Sequence, residues 1–192
     1  MRKVKVTRKR IRDLSEEEWA GIHGQQDLAA VMPHVREIIA EVKNRGDAAL
    51  LEYTEAFDHV KLEKIEVGPE EIEAAKRNVD EMTLRYIEEA STAIKKFHYR
   101  QKRQAWLEEF SAGVFLGEMF VPFEVVGAYV PASYFSSALM CVIPATIAEV
   151  REIIVCTPPR TNGQIDPLTL VAAELAGATR IFKAGGAQAI AA

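Results

Sequence analysis

Cysteine is scarce: the 192 residues contain two, Cys141 and Cys156. They lie far apart in apolar surroundings, so they read as small buried hydrophobes of a reducing compartment rather than as a disulfide. Neither they nor the four histidines show metal-ligand spacing, so no metal ligand is assigned. No apolar run approaches the ~20 residues that a membrane-spanning helix needs. The basic start of the chain is not followed by the apolar stretch of a secretory signal. The expected location is therefore cytoplasmic, without a membrane partner. A general basic excess is missing too: the net charge is -4, which gives no reason to expect nucleic acid. The exception is local, at Arg2, Lys3, Lys5, Arg8, Lys9, Arg10 and Arg12. No aromatic or amphipathic pattern accompanies these cations, and a solvated N-terminal arm accounts for them. Internal repeats and low-complexity segments are absent.

What is present is ordinary globular material. Hydrophobic residues make up 48% and charged residues 27%, enough to bury a core. Ser15 and Glu18 have the spacing of a capping box, and Trp19 begins a short apolar face. Val31, Val35, Ile38, Ile39 and Val42 recur at helical spacing, with Pro33 in a first turn and Gly46 at the C-terminal cap. Asp47 is expected to cap a further helix carrying Ala48, Leu51 and Thr54. Leu62–Val67 suits a short strand or an extended link. Pro69 starts a helix with a buried stripe of Ile72, Ala75, Val79 and Met82, and a second periodic run follows, Ile87, Ala90, Ile94, Phe97 and Gln101; together they make a long amphipathic helical stretch to about Gln104. His98 reads as a partly buried structural histidine, because no second titratable group is spaced to work with it.

After Trp106 the period changes. Residues 113–118 alternate as a strand, and Phe120–Phe123 makes a turn or edge, since Pro122 cannot donate to a central ladder. Val125–Val130 is an apolar, β-branched run, as expected of a strand covered on both faces. A loop from Pro131 leads to a helix that Ser136 or Ser137 caps and that Pro144 kinks or ends. Glu152–Cys156 is the next strand. Asp166-Pro167 starts a helix that stops at Gly177, and Arg180–Lys183 is the third strand. Strands alternating with helices imply right-handed parallel crossovers. The expected fold class is α/β: a mainly helical part over 1–112, then an incomplete, doubly wound, Rossmann-like parallel sheet over 113–192.

In such a sheet ligands bind beyond the carboxyl ends of the strands. Three loops lie there: 131–137, 157–165 and 184–188. The hydroxyls of Ser136 and Ser137 can cap a helix, which suffices to explain them, or meet a phosphate at its positive end. Gly185-Gly186 allows close backbone approach, but it is not a GxGxxG fingerprint. After Val125 the only carboxylates are Glu149, Glu152, Asp166 and Glu174, and histidine is absent. No nucleophile has a paired base and no Walker-type loop occurs, so no catalytic residue is assigned. The pattern alone supports an α/β domain with a nucleotide site.

The residues themselves go further. Val42-Lys43-Asn44-Arg45-Gly46-Asp47-Ala48-Ala49-Leu50, Tyr53–Asp58, Phe97-His98-Tyr99-Arg100-Gln101 and Val126-Gly127-Ala128-Tyr129-Val130-Pro131 form one ordered set of motifs. Ser136–Met140, Ile143–Ala145, Val155–Pro159 and Gly185-Gly186-Ala187-Gln188-Ala189-Ile190-Ala191-Ala192 continue it. In this order they resemble the N-terminal portion of histidinol dehydrogenase, over about Val31 to Ala192. The resemblance implies an NAD- and zinc-dependent homodimer of an aldehyde-dehydrogenase-like fold, which oxidises L-histidinol to L-histidine in histidine biosynthesis. It implies that Tyr129 and Gln188 contact NAD. Each has a plainer reading beside it: a strand-end core aromatic for Tyr129, a polar residue at a helix start for Gln188. Two departures stand out. The family's Pro-Gly-Gly is replaced by Pro131-Ala132-Ser133 in a shortened loop. The family's catalytic glutamate–histidine pair and zinc ligands lie beyond the segment matching Gln188, so the chain is expected to be truncated and inactive alone. The alternative is a non-catalytic binding or assembly module, or one half of a split enzyme whose complementary C-terminal chain supplies the zinc site.

Overall fold

A computed structural model describes residues 10–18 and 28–192. The described residues before Ile38 belong to one unit, and Ile38–Ala192 form a second, compact one. In the first, the Ser15–Glu18 capping box forms. The Glu18 N–H donates to Ser15 Oγ at 3.2 Å, and the Ser15 N–H donates to Glu18 Oε2 at 3.1 Å. Trp19 and most of the basic arm lie outside the described residues.

Helix α1, Leu28–Arg45, buries Ile38 and Val42, whereas Val31 and Ile39 of its expected stripe are exposed. Pro33 lies within it, a turn further in than a first-turn proline. The Gly46 N–H donates to Val42 O at 2.8 Å and closes the helix. Gly46, rather than Asp47, is also the N-cap of α2, Asp47–Asp58. The buried residues of α2 are Ala49, Leu50 and Thr54, so its inward face is turned from the expected one and Ala48 is exposed.

The long helical stretch is two helices. Helix α3, Pro69–Arg77, ends at Asn78, and α4 spans Glu81–Tyr99 rather than reaching Gln104. Asp80 makes the break. Its carboxylate accepts from the Thr83 N–H at 2.9 Å and from Thr83 Oγ1 at 2.7 Å, which starts a new helix instead of continuing the old one. These bonds hold the Asp80 carboxyl below its ordinary value.

Strands β1, Trp106–Ser111, and β2, Val114–Glu118, form an antiparallel ribbon. The sequence reading missed β1, because the adjacent Glu108 and Glu109 break its alternation. The second sheet is parallel, in the order β3–β4–β5: Val125–Tyr129, Glu152–Thr157 and Arg180–Lys183. Helices α5, Phe135–Ile147, and α6, Pro167–Ala176, connect the strands and pack on each other. Helix α7, Gly186–Ala191, follows β5. The fold class is α/β, as expected.

Several details differ from the sequence reading. Val125, Gly127 and Tyr129 are exposed along one side of β3, so this strand is not covered on both faces. Pro144 does not end α5, which runs three residues past it. Neither Ser136 nor Ser137 caps α5: both lie inside its first turn, Tyr134 is the N-cap, and no side chain bonds there. Cys141 is exposed rather than buried.

One face of the sheet carries the main core. Val130, Ile153, Val155 and Ile181 meet Leu139, Val142 and Ile143 of α5, Leu170 and Ala173 of α6, and Ala75 and Ile87 of α3 and α4. On the other face Phe182 joins a smaller cluster built from Ile38, Val42, Ala49, Leu50 and Ile65. Residues 65–67 are neither a full strand nor a free link. They run antiparallel to β5, with the Lys183 N–H donating to Ile65 O at 2.7 Å and the Val67 N–H to Ile181 O at 2.9 Å. Arg180 clamps Glu66 with two bonds, at 2.9 and 3.3 Å, and lowers the Glu66 pKa. Lys183 Nζ, nearly buried, donates to both oxygens of Glu71 at 3.1 Å.

Two outcomes follow from this packing. Leu139→Ala removes a fully buried side chain and should cost about 3 kcal/mol in urea unfolding. Asp58 has a buried Oδ2 without a hydrogen-bond partner, and burial pushes its pKa up, against a smaller opposing effect of His59. The folded chain thus binds the Asp58 proton more tightly than the unfolded chain. Its contribution falls as pH rises from the ordinary aspartate pKa to the raised one, and then levels. Asp58→Asn should remove that slope and raise the midpoint at neutral pH, as read from denaturation at several pH values.

Candidate dinucleotide site at the strand ends

The carboxyl ends of β3, β4 and β5 converge, and their loops are tied together by side chains. In loop 131–134, Ser133 adopts a positive φ of 62°. Its Oγ donates to Asp166 Oδ2 at 3.5 Å. Asp166 is buried at the start of α6, where Oδ1 accepts from the Thr169 N–H at 3.1 Å and caps the helix. Arg160, from the loop after β4, forms an ion pair with the same carboxylate. One aspartate therefore holds the first loop, the second loop and a helix start. The third loop abuts the second. A Cβ on Gly185 would come within 2.8 Å of Pro158 Cβ, so the backbone approach there requires glycine.

Gln188 sits on α7, 1% exposed, and its Oε1 has no hydrogen-bond partner. Gly186, at φ 62°, makes room for that amide: a Cβ at Gly186 would lie 2.6 Å from Gln188 Oε1. A buried carbonyl oxygen left unbonded costs about 1–3 kcal/mol, so its placement calls for a reason. Thr157, the last residue of β4, is also buried, with Oγ1 unpartnered. The sequence reading did not single out Thr157. Its signal was position alone, a hydroxyl residue closing a parallel strand.

Tyr129 ends β3 and is 38% exposed. It lines a groove of about 720 Å³ with Gly127, Ile154, Cys156, Phe182 and Leu50. Gln188 does not line this groove, but its neighbours Ala189 and Ile190 do. The two predicted contact residues thus belong to the same end of the sheet, one on the groove wall and one buried behind it. Ser136 and Ser137 stand in the first turn of α5, without capping it. Cys156 in the groove is half-buried, and burial pushes its thiol pKa up, away from thiolate character.

Tyr129 offers an exposed ring, and Gln188 and Thr157 offer unspent hydrogen-bonding capacity. Among the described residues, no group of three or more His, Cys, Asp or Glu is placed to hold a metal ion. His98, half-buried, has Nδ1 2.7 Å from Gln101 Oε1. An amide oxygen only accepts, so Nδ1 carries the hydrogen, and the pair closes the end of α4. His98 lines a separate groove with Phe123, Pro144 and Ile147.

The family model of histidinol dehydrogenase matches residues 22–192. The chain belongs to the histidinol dehydrogenase family. It is 44% identical over 187 residues to the histidinol dehydrogenase of Methanosarcina mazei, covering 95% of this chain and 43% of that protein. It is 47% identical over 161 residues to that of Geobacillus kaustophilus, covering 82% and 38%. The crystal structure of histidinol dehydrogenase from Elizabethkingia anophelis superposes with a TM-score of 0.80 at 38% identity, over 84% of this chain and 38% of that one. The chain thus spans about two fifths of the length of these histidinol dehydrogenases. No helix of the described residues is long and apolar enough to cross a membrane.

Gln188→Met replaces an unsatisfied buried amide with an apolar chain of similar length. It should stabilise the ligand-free chain by about 1 kcal/mol. Gly186→Ala should do the reverse, because the new methyl meets both a positive φ and the amide. Thermal unfolding of the two variants checks the opposite signs.

Proposed function

We propose that this chain is the NAD-holding part of a histidinol dehydrogenase. Tyr129 packs on the dinucleotide, and Gln188 bonds it through the carboxamide whose Oε1 is free. NAD, when bound, accepts hydride, and two such transfers take L-histidinol to L-histidine, a step of histidine biosynthesis. The chain's own residues supply binding and orientation. The buried, unbonded Oε1 of Gln188 at the strand ends is the observation that carries this reading, because such an atom is costly unless a ligand uses it. Zinc belongs to the whole enzyme's chemistry and has no donor set among the described residues. By itself, the 192-residue chain holds NAD and does not oxidise histidinol. The histidinol site, the metal and the acid–base pair come from the portion of the family that these residues do not span. The protein acts in the cytoplasm, as a homodimer.

Calorimetry with NAD tests this reading, which predicts saturable binding that Tyr129→Ala and Gln188→Ala each weaken by about tenfold, corresponding to ~1.4 kcal/mol. An affinity unchanged by both substitutions would refute the site. In the same preparation, histidinol and zinc should give no NADH above background, and clear turnover would refute the division of labour.

A further inference from the structure

Asp166 divides its two carboxylate oxygens between two tasks. Oδ1 caps α6: it accepts from the Thr169 N–H at 3.1 Å and from Thr169 Oγ1 at 3.5 Å. A cap alone explains an aspartate at a helix start, but it needs one oxygen only. Oδ2 is spent elsewhere. It accepts from Ser133 Oγ at 3.5 Å, in the loop after β3, and from the Arg160 guanidinium, in the loop after β4. Burial makes this carboxylate costly unless it is paired, so the two loops are drawn to it.

Its position in the fold is singular. Residues 125–192 contain four carboxylates, Glu149, Glu152, Asp166 and Glu174. Glu149 precedes β4, Glu152 is its first residue, and Glu174 lies in the last turn of α6. Only Asp166 borders the carboxyl ends of the strands. Each loop that it holds is closed on itself. The Tyr134 N–H donates to Pro131 O at 3.2 Å in the first loop. In the second, the Arg160 N–H donates to Gln164 O and the Gly163 N–H to Arg160 O, both at 2.8 Å. A hold on Ser133 and on Arg160 therefore fixes each loop as a unit. Ser133 is exposed, yet it keeps its positive φ of 62°, which a non-glycine residue retains only where its surroundings hold it there. The first loop follows directly on the end of β3, where Tyr129 stands. The second contains Pro158, which abuts Gly185 and so the turn that leads to Gln188. Asp166 itself does not line the groove that Tyr129 lines. Its route to both cofactor residues runs through the loops.

We infer that Asp166 is a positioning residue of the cofactor site: through Oδ2 it locks the loops after β3 and β4 to each other, and so holds Tyr129 and the turn before Gln188 preformed for a dinucleotide. The inference rests on the NAD reading of that site.

Stopped-flow titration of the whole chain with NAD, beside amide hydrogen exchange, tests it. Asp166→Asn retains a good helix cap but sets an N–H₂ group where Oδ2 accepts. It should weaken NAD binding by about tenfold, because only a fraction of the molecules then has its loops in place. The loss should fall on the association rate, with dissociation unchanged, and exchange should speed up over 131–134 and 160–164. Ser133→Gly suits the positive φ, so it should keep the thermal midpoint and still weaken NAD by about threefold, since the tether is gone. Added to Asp166→Asn, it should weaken binding no further. NAD binding that both variants leave intact, or a loss confined to the dissociation rate, overturns the positioning role. Should Asp166→Asn fail to fold, Ser133→Gly decides alone. Binding that Tyr129→Ala and Gln188→Ala weaken while Asp166→Asn and Ser133→Gly do not defeats this inference and leaves the cofactor site standing. A wild type that does not bind NAD defeats both.

Discussion

The antiparallel clasp of residues 65–67 on β5 is the constraint on which the rest of residues 38–192 depends. It joins the helical stretch to the parallel sheet through two backbone bonds, the bidentate Arg180–Glu66 pair and the Lys183–Glu71 pair. Each ion pair joins residues more than a hundred positions apart in sequence. With the clasp in place, α3 starts directly above the sheet at Pro69, and Glu71 accepts from the Gly68 N–H while it holds Lys183. The core face of the sheet then has four helices to pack against, and β5 is covered on the side that β4 does not fill. The carboxyl end of β5 is thereby positioned, and with it the glycine turn that presents Gln188.

The site is organised by unspent polar capacity. Some polar groups of this fold are satisfied with economy: Asp166 alone meets Ser133, Arg160 and Thr169, and Thr146 Oγ1 bridges Val142 O and Ala176 O. Among the described residues five buried side-chain oxygens have no partner, and two of them, Thr157 Oγ1 and Gln188 Oε1, lie at the end of one sheet. Binding sites commonly give up stability in this manner, since groups meant for a ligand are left without a partner in its absence.

Elements with strong local signals were legible in the sequence. Asp166-Pro167 and Gly177 bracket α6, the apolar β-branched run Ile153–Val155 marks β4, and the Ile181-Phe182 pair marks β5, because caps and strand propensity act over a few residues. What depends on distant partners was not legible. The break at Asp80 falls before Met82, which the spacing assigns to the first helix, and it shows only through the Thr83 bonds. The open side of β3 depends on which helices reach it, and its Val-Val-Gly-Ala-Tyr run does not reveal that. Ser136 and Ser137 look like caps, yet the backbone turns into the helix at Tyr134, two residues earlier. Of the site, Tyr129 and Gln188 came from the family resemblance. That Gln188 is buried with a free oxygen is a property of three-dimensional packing that no spacing rule contains.

The central claim is that the strand-end cradle around Gln188 is a cofactor site and not a packing accident. A ¹⁵N-labelled sample titrated with NAD tests it most directly, through the side-chain amide resonance of Gln188. The account predicts that this resonance moves saturably together with the backbone signals of Thr157, Gly185 and Tyr129, while the residues around His98 stay still. A Gln188 amide that does not move while the protein otherwise saturates with NAD, or shifts confined to the His98 groove, would contradict it.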